Sequence, residues 1–344
     1  MTLKNSYCSN FCVFKIVCTI SVIGLVSIFQ FTNVYHKHYG MYHKQVDTTI
    51  KEEIDRDVQY SLPSSGTMTS VESALASDSA VPTNPVVIFS VLPKCGSRTL
   101  FALMGILGEK HGFDVKHTMG GDDETAEDKV KIIRQTLLSK NPAFIYTHRR
   151  YQAFGRERKP VYISIVRDPV ERLASLYYFM RYGDNRTNVD LPAVQFRAKM
   201  DARNYSNDSF NDCVLNGNKM CRRVGSVVRQ FCGYIGCTDS TATQAPIKKA
   251  IAHIDRSYHV VGIMEDYKSI LRVLEKKIPQ LFQGIVALYE EQKKEIVSNM
   301  RTKNKTKITP KVRNILKKEL AEDYKLYNLI KEKFDISKKK LSIE

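Results

Sequence analysis

Val86-Val87-Ile88-Phe89-Ser90-Val91-Leu92, followed by Pro93-Lys94-Cys95-Gly96-Ser97-Arg98-Thr99 and the apolar-periodic stretch Leu100–Gly108, decides the fold of this chain. The segment reads as a strand, a tight basic turn and a helix. Backbone N–H groups at such a turn and at the helix N-terminus point outward unpaired, and the helix dipole adds partial positive charge. The loop is therefore built to hold a phosphate or sulfate anion. Lys94 supplies a full charge, Gly96 lets the backbone approach the anion, and the hydroxyls of Ser97 and Thr99 can donate further hydrogen bonds. A Walker A loop is excluded, because here the lysine precedes the only glycine, and no G-x-G-x-x-G occurs. The plain alternative is a basic strand-to-helix turn without a ligand.

Val161–Val166 repeats the arrangement. This β-branched run ends in Arg167-Asp168-Pro169-Val170-Glu171, and Leu173, Leu176, Tyr177 and Met180 then follow at helical spacing. Asp168 suits the N-cap, Pro169 the first helical position, and Glu171 the partner position of a capping box. Parallel strands end on one sheet edge, where ligands bind. Arg167 is thus expected beside Lys94, able to hold a second phosphate in bidentate fashion. A salt bridge to a local carboxylate is the alternative role for Arg167.

These two segments, with Gly108-Glu109-Lys110-His111-Gly112-Phe113, Tyr146-Thr147-His148 and the run from Tyr177 to Asp184 in their order and intervals, resemble the uronyl and heparan sulfate 2-O-sulfotransferase family. The lysine-cysteine-glycine-serine-arginine-threonine loop is more similar to the uronyl (Pipe-like) branch. The resemblance runs from about residue 86 to 334. It implies an α/β, P-loop-like sulfotransferase fold with a central parallel sheet flanked by helices. It also implies transfer of a sulfuryl group from PAPS (3′-phosphoadenosine 5′-phosphosulfate) to the 2-hydroxyl of a uronic acid in dermatan, chondroitin or heparan sulfate.

By the same resemblance Lys94, Gly96, Ser97, Arg98 and Thr99 form the 5′-phosphosulfate loop, and Arg167 and Ser175 hold the 3′-phosphate. His148 is the general base, with Lys94 as the second catalytic group. Arg301 and Lys303, in the basic segment 301–307, fall where the family closes a loop over the nucleotide, although the spacing departs from the heparan sulfate branch. A histidine two residues before the base is Tyr146 here. The uronate-contacting arginines are poorly matched, with Arg186 the nearest candidate. Cysteine pairs Cys213–Cys221 and Cys232–Cys237 are likewise implied, as are a glycosaminoglycan acceptor, a Golgi membrane setting and, as one arrangement, a homotrimer.

The chemistry calls for the same residue types. A sugar hydroxyl is a poor nucleophile at neutral pH, and a positioned base accelerates its attack by about 10²–10⁴-fold. Histidine, with an ordinary pKa of about 6.5, suits the task. A lysine in the anion loop neutralises charge that builds on the leaving oxygen, and no metal is required. Two other classes compete. One is a membrane-anchored glycan-binding protein of the same fold without turnover. The other is a kinase using the anion loop, which lacks the Walker lysine and hydroxyl pair for a triphosphate.

Phe11–Phe31 is mostly apolar with Lys15 as its only charge, long enough to span a hydrocarbon core of about 30 Å. We read residues 1–10 as a cytoplasmic tail, 11–35 as a type II signal anchor, 36–85 as a Ser/Thr-rich stem and 86–344 as the lumenal domain. A cleaved signal peptide is the alternative to the anchor. The cluster Cys213, Cys221, Cys232 and Cys237 suits disulfides in an oxidising compartment. Zinc competes poorly, because no C-x-x-C or paired histidines occur. Cys95 is left as a free thiol. Sequons at Asn185, Asn204 and Asn207 are expected to carry glycans, and one at Asn304 to be sparsely used. The net charge of +17 suits a polyanionic glycan, and nucleic acid is not expected as a partner. Part of that charge lies on a C-terminal amphipathic helix with Ile315, Leu320, Tyr324, Leu329 and Phe334 along its apolar face.

Overall fold

Ser90, Thr147 and Val166 end three neighbouring parallel strands, and the residues that follow them form one rim. The computed structural model describes residues 80–118, 125–154, 158–184, 208–218, 221–222, 226–234, 237 and 245–343, which lie in a unit spanning Thr69–Glu344. The predicted anchor, nearly all of the stem, and Asn185, Arg186, Asn204 and Asn207 lie outside them. Among the described residues no helix is long and apolar enough to cross a membrane.

In chain order the elements are β1 (Val86–Ser90), α1 (Ser97–His111), β2 (Asp114–His117), α2 (Ala126–Leu138), β3 (Ala143–Thr147), β4 (Val161–Val166) and α3 (Pro169–Tyr182). There follow α4 (Phe210–Leu215), α5 (Ser226–Cys232), α6 (Ala245–Ser257), β5 (Tyr258–Ile263), α7 (Tyr267–Lys277), α8 (Pro279–Phe282), α9 (Ile285–Met300), α10 (Pro310–Glu319) and α11 (Ala321–Lys340). The strands form one parallel sheet in the order β2-β3-β1-β4-β5. β1, β3 and β4 are buried along their whole length, which explains why they read as continuous apolar runs rather than as alternating patterns. Their side chains and the inward faces of the helices form the main core, each large apolar residue contributing about 1.5–3 kcal/mol. Chain order reverses direction at β1, so the crevice beside its C-terminal end is a topological switch point.

The strand expected over 86–92 stops at Ser90. Val91 and Leu92 remain buried, but only the Val91 N–H still reaches Thr147 O (2.8 Å) before the chain turns. Helix α1 starts earlier than expected, at Ser97, so Ser97, Arg98 and Thr99 occupy its first turn. Asp168 caps α3 as expected, accepting from the Glu171 N–H at 2.9 Å, with Pro169 in the first turn. The reciprocal half of the capping box is absent. The Asp168 N–H donates to Glu265 Oε1 instead (3.0 Å), and the Glu171 carboxylate is drawn to Lys305 and Arg313, each at 2.6 Å. Cations outcompete a neutral amide for a carboxylate.

The expected single C-terminal helix is broken at Leu320 into α10 and α11. The buried stripe nevertheless keeps its phase across the break, running through Val312, Leu316, Leu320, Leu326, Tyr327, Ile330 and Phe334, while Ile315, Tyr324 and Leu329 are only half-buried. Disulfides join Cys213 to Cys221 and Cys232 to Cys237, with Cα–Cα separations of 6.2 and 6.0 Å. Cys95 is a buried free thiol, and burial pushes its pKa up to about 12, which keeps it protonated and inert.

Candidate functional site

The loop after β1 is wound tightly by two left-handed residues, Lys94 (φ 71°) and Gly96 (φ 74°). A Cβ at Gly96 would stand 2.9 Å from the Tyr267 ring, and the Tyr267 hydroxyl donates to Gly96 O (3.1 Å), so only glycine fits there. Gly96 is also the N-cap of α1, and no side chain caps that helix. The Thr99 N–H turns back to Gly96 O (3.2 Å), which leaves the Ser97 and Arg98 N–H groups of the first turn for an anion.

Three cations converge on this loop. Lys94 Nζ lies 3.8 Å from the centroid of the Phe179 ring, and the Arg98 guanidinium approaches the same ring at 5.2 Å. Arg167, at the end of β4, donates to Lys94 O (3.3 Å), which ties the two strand ends together. Burial foremost, then the charges of Arg98 and Arg167, hold the Lys94 pKa down to about 7. A lysine so depressed marks a site with excess positive potential. Arg98 is in part compensated, since it pairs with the fully buried Asp184 just beyond α3.

That end of α3 also holds the segment following α9. Asp184 bridges to Thr302, the Lys303 N–H donates to Gly183 O (3.1 Å), and the Tyr178 and Thr306 hydroxyls are 2.6 Å apart. Ser175 Oγ and Thr302 Oγ1 lie 3.3 Å apart, and Thr99 Oγ1 reaches Met300 Sδ at 3.7 Å. The segment 300–306 is thus strapped beside the anion loop. Thr302 faces Ser175, while Arg301 is exposed and neither it nor Lys303 forms an ion pair among the described residues. Asn304, on the same strap, is exposed and left-handed (φ 53°).

His148 follows the last residue of β3 on the other side of β1. Its Nε2 lies 3.4 Å from the Tyr146 hydroxyl, which is itself 3.1 Å from Ser97 Oγ. A side-chain chain therefore runs from the anion loop through Tyr146 to His148. Burial, and then the neighbouring His117 and Lys129, lower the imidazole pKa to about 4. The ring is neutral across physiological pH and free to accept a proton. Tyr146 is stacked on His117 (5.1 Å, 30°) and packed against Phe101 (4.8 Å), and burial raises its own pKa.

The rim thus brings together Lys94, Gly96, Ser97, Arg98, Thr99, Arg167, Ser175 and His148. Sequence reasoning missed Tyr146 as the link between loop and histidine, and Asp184 as the partner of Arg98. The first was readable in principle, because Tyr146 and His148 share a parity that puts both on one side of an extended chain. The second joins residues 86 positions apart and has no local signal.

A family described as "Sulfotransferase family" matches residues 78–329. The chain is 28% identical over 266 residues to the uronyl 2-sulfotransferases of Mus musculus and Homo sapiens, covering 75% of this chain. It is also 28% identical over 253 residues to heparan sulfate 2-O-sulfotransferase 1 of Gallus gallus, covering 71% of this chain and 67% of that protein. The match spans 64% of the length of the uronyl 2-sulfotransferases.

Proposed function

The chain belongs to the sulfotransferase family, and from that premise we propose that it transfers a sulfuryl group from PAPS to the 2-hydroxyl of a uronic acid in a glycosaminoglycan. The observation that carries the reading is the single rim on which a cationic, uncapped anion loop and a neutral, strand-end histidine stand linked through Tyr146. The names of the matched proteins, uronyl 2-sulfotransferase and heparan sulfate 2-O-sulfotransferase, support a uronic acid acceptor. A compartment of the Golgi lumen, with the chain held by an N-terminal anchor, is part of the same reading. The two disulfides support the oxidising setting.

The residues fit such a donor. Lys94, Arg98 and Arg167 leave the loop short of negative charge, and the first turn of α1 offers N–H groups without a capping side chain. PAPS, when bound, supplies the sulfuryl group and a phosphate leaving group. His148 accepts the proton of the acceptor hydroxyl at an imidazole nitrogen, which sharpens its nucleophilicity as the new S–O bond forms. Lys94 opposes the charge that grows on the oxygen being released. Arg167, with Ser175, orients the 3′-phosphate, and the strap 300–306 lies beside Ser175 through Thr302.

Two measurements test this. Labelled PAPS incubated with a panel of desulfated dermatan, chondroitin and heparan chains should yield 2-O-sulfated uronic acid on disaccharide analysis. A protein that binds these chains yet never transfers label would instead be a glycan-binding member of the fold. In calorimetry, Arg167→Ala should weaken adenosine 3′,5′-bisphosphate binding by about 1.5–3 kcal/mol, the scale of a lost charge-assisted contact. Equal affinity in wild type and variant would remove Arg167 from the nucleotide site.

A further inference from the structure

Two positions beyond His148 the chain carries Arg150, whose Cα is therefore within about 7 Å of that of the histidine. The segment is fastened to the rim. Ser90 Oγ, at the end of β1, donates to Arg149 O (3.1 Å), and the buried Gln230 amide donates both to Arg149 O (3.0 Å) and to Ser90 Oγ (2.7 Å). The Tyr151 N–H reaches Gln230 O (2.9 Å), and the Arg150 N–H donates to the Tyr234 hydroxyl (3.2 Å). Tyr234 belongs to the short loop closed by the Cys232–Cys237 disulfide. At its base Gly233 (φ 95°) packs so closely that a Cβ would come within 2.8 Å of Tyr151 O.

Tyr234 remains 41% exposed as a residue, with the guanidinium groups of Arg149 and Arg150 over its ring at 5.2 and 5.6 Å. These two arginines differ in what they do. Arg149 donates to Gln152 Oε1 (3.0 Å). Arg150 has no carboxylate partner among the described residues, unlike Arg98, Arg222 and Arg313, which are paired to Asp184, Glu319 and Glu171. A guanidinium stacked on an aromatic ring can still offer N–H groups as a fork to a carboxylate or sulfate oxyanion.

We propose that Arg150, held on Tyr234, is an acceptor subsite that takes an oxyanion of the glycan, a uronate carboxylate or a sulfate ester, beside His148. The inference rests on the sulfotransferase reading above and adds to it the residue that recognises the polyanion. The donor cations stand at the ends of β1 and β4, whereas Arg150 follows β3, on the opposite flank of β1. Two strand spacings, about 10 Å, separate β3 from β4, which is room for a donor and a sugar side by side. The exposed edge of Tyr234 adds an apolar surface on which a pyranose ring can rest.

Steady-state kinetics of the full chain test it, with partly sulfated dermatan and heparan chains, their fully desulfated forms and the carboxyl-reduced counterparts of both as acceptors. Arg150→Ala should raise KM for the glycan about tenfold or more, leave kcat within about threefold, and leave adenosine 3′,5′-bisphosphate affinity unchanged. Arg150→Lys, which keeps the charge but not the fork, should fall between. If the oxyanion is the carboxylate, wild type and Arg150→Ala converge on carboxyl-reduced chains. If it is a sulfate ester, they converge on fully desulfated ones. An unchanged KM in Arg150→Ala, or a defect that persists on chains lacking both groups, overturns the subsite while leaving the transferase reading intact. A wild type that neither sulfates nor binds any of these glycans overturns both.

Discussion

Replacing His148 with alanine is expected to reduce kcat for sulfuryl transfer by about 10²–10⁴-fold, the range for losing a positioned general base. Nucleotide affinity and folding should be nearly unchanged, because His148 belongs to the β3 end and is linked to the anion loop through the Tyr146 hydroxyl. The pH profile carries a second mark. With the imidazole held down to about 4 by burial, His117 and Lys129, its basic form persists well below the usual histidine range. On this account the acid limb of kcat/KM for the free enzyme falls as pH drops through about 4, and this limb disappears in His148→Ala. Tyr146→Phe should have a smaller effect, since it removes a link and not the base. A His148→Ala protein that binds nucleotide and retains near-normal turnover would mean that another group takes the proton.

Replacing Lys94 with alanine should lower kcat by about 10²–10³-fold, the scale on which loss of a single charge-stabilising donor is felt. It should also change how binding depends on pH. In the free protein burial, Arg98 and Arg167 lower the Lys94 pKa to about 7, and a bound polyanion must raise it. Binding then takes up a proton above pH 7. Wild-type affinity for adenosine 3′,5′-bisphosphate should therefore be greatest near neutrality and fall, by up to about tenfold per pH unit, as pH rises from 7 to 9. The Lys94→Ala affinity should be lower and flat over that window. Calorimetry at pH 7, 8 and 9 separates the two, and parallel slopes would mean that Lys94 does not face the anion.

Lys94 and His148 differ in how much of their setting was legible beforehand. The strand, turn and helix around Lys94 follow from local rules: an apolar run, a glycine with positive φ, and an amphipathic repeat. Asp168 and Pro169 announce α3 in the same local way, and the β-branched run before them announces β4. For His148 only the residue and its strand-end position could be read. Its depressed pKa comes from burial and from His117, 31 residues earlier, which stacks on Tyr146 only when β2 pairs with β3.

What the amino-acid sequence determined by itself is the set of short-range units: the anion loop with its uncapped helix, the capped α3, the apolar strands of a parallel sheet and the cysteines close enough to pair. Each depends on neighbours within a few residues, where chain connectivity already keeps the partners together. Tertiary structure alone decided the rest. It pairs Arg98 with Asp184, lays Thr302 against Ser175, turns Glu171 from a capping partner into an acceptor for Lys305 and Arg313, and seats Arg150 on Tyr234. It also breaks the C-terminal helix at Leu320, although the buried stripe continues from one half into the other. These contacts close loops of tens to more than a hundred residues. The entropy of such closures is met by burial summed over the whole core, so no local pattern of residues can encode them.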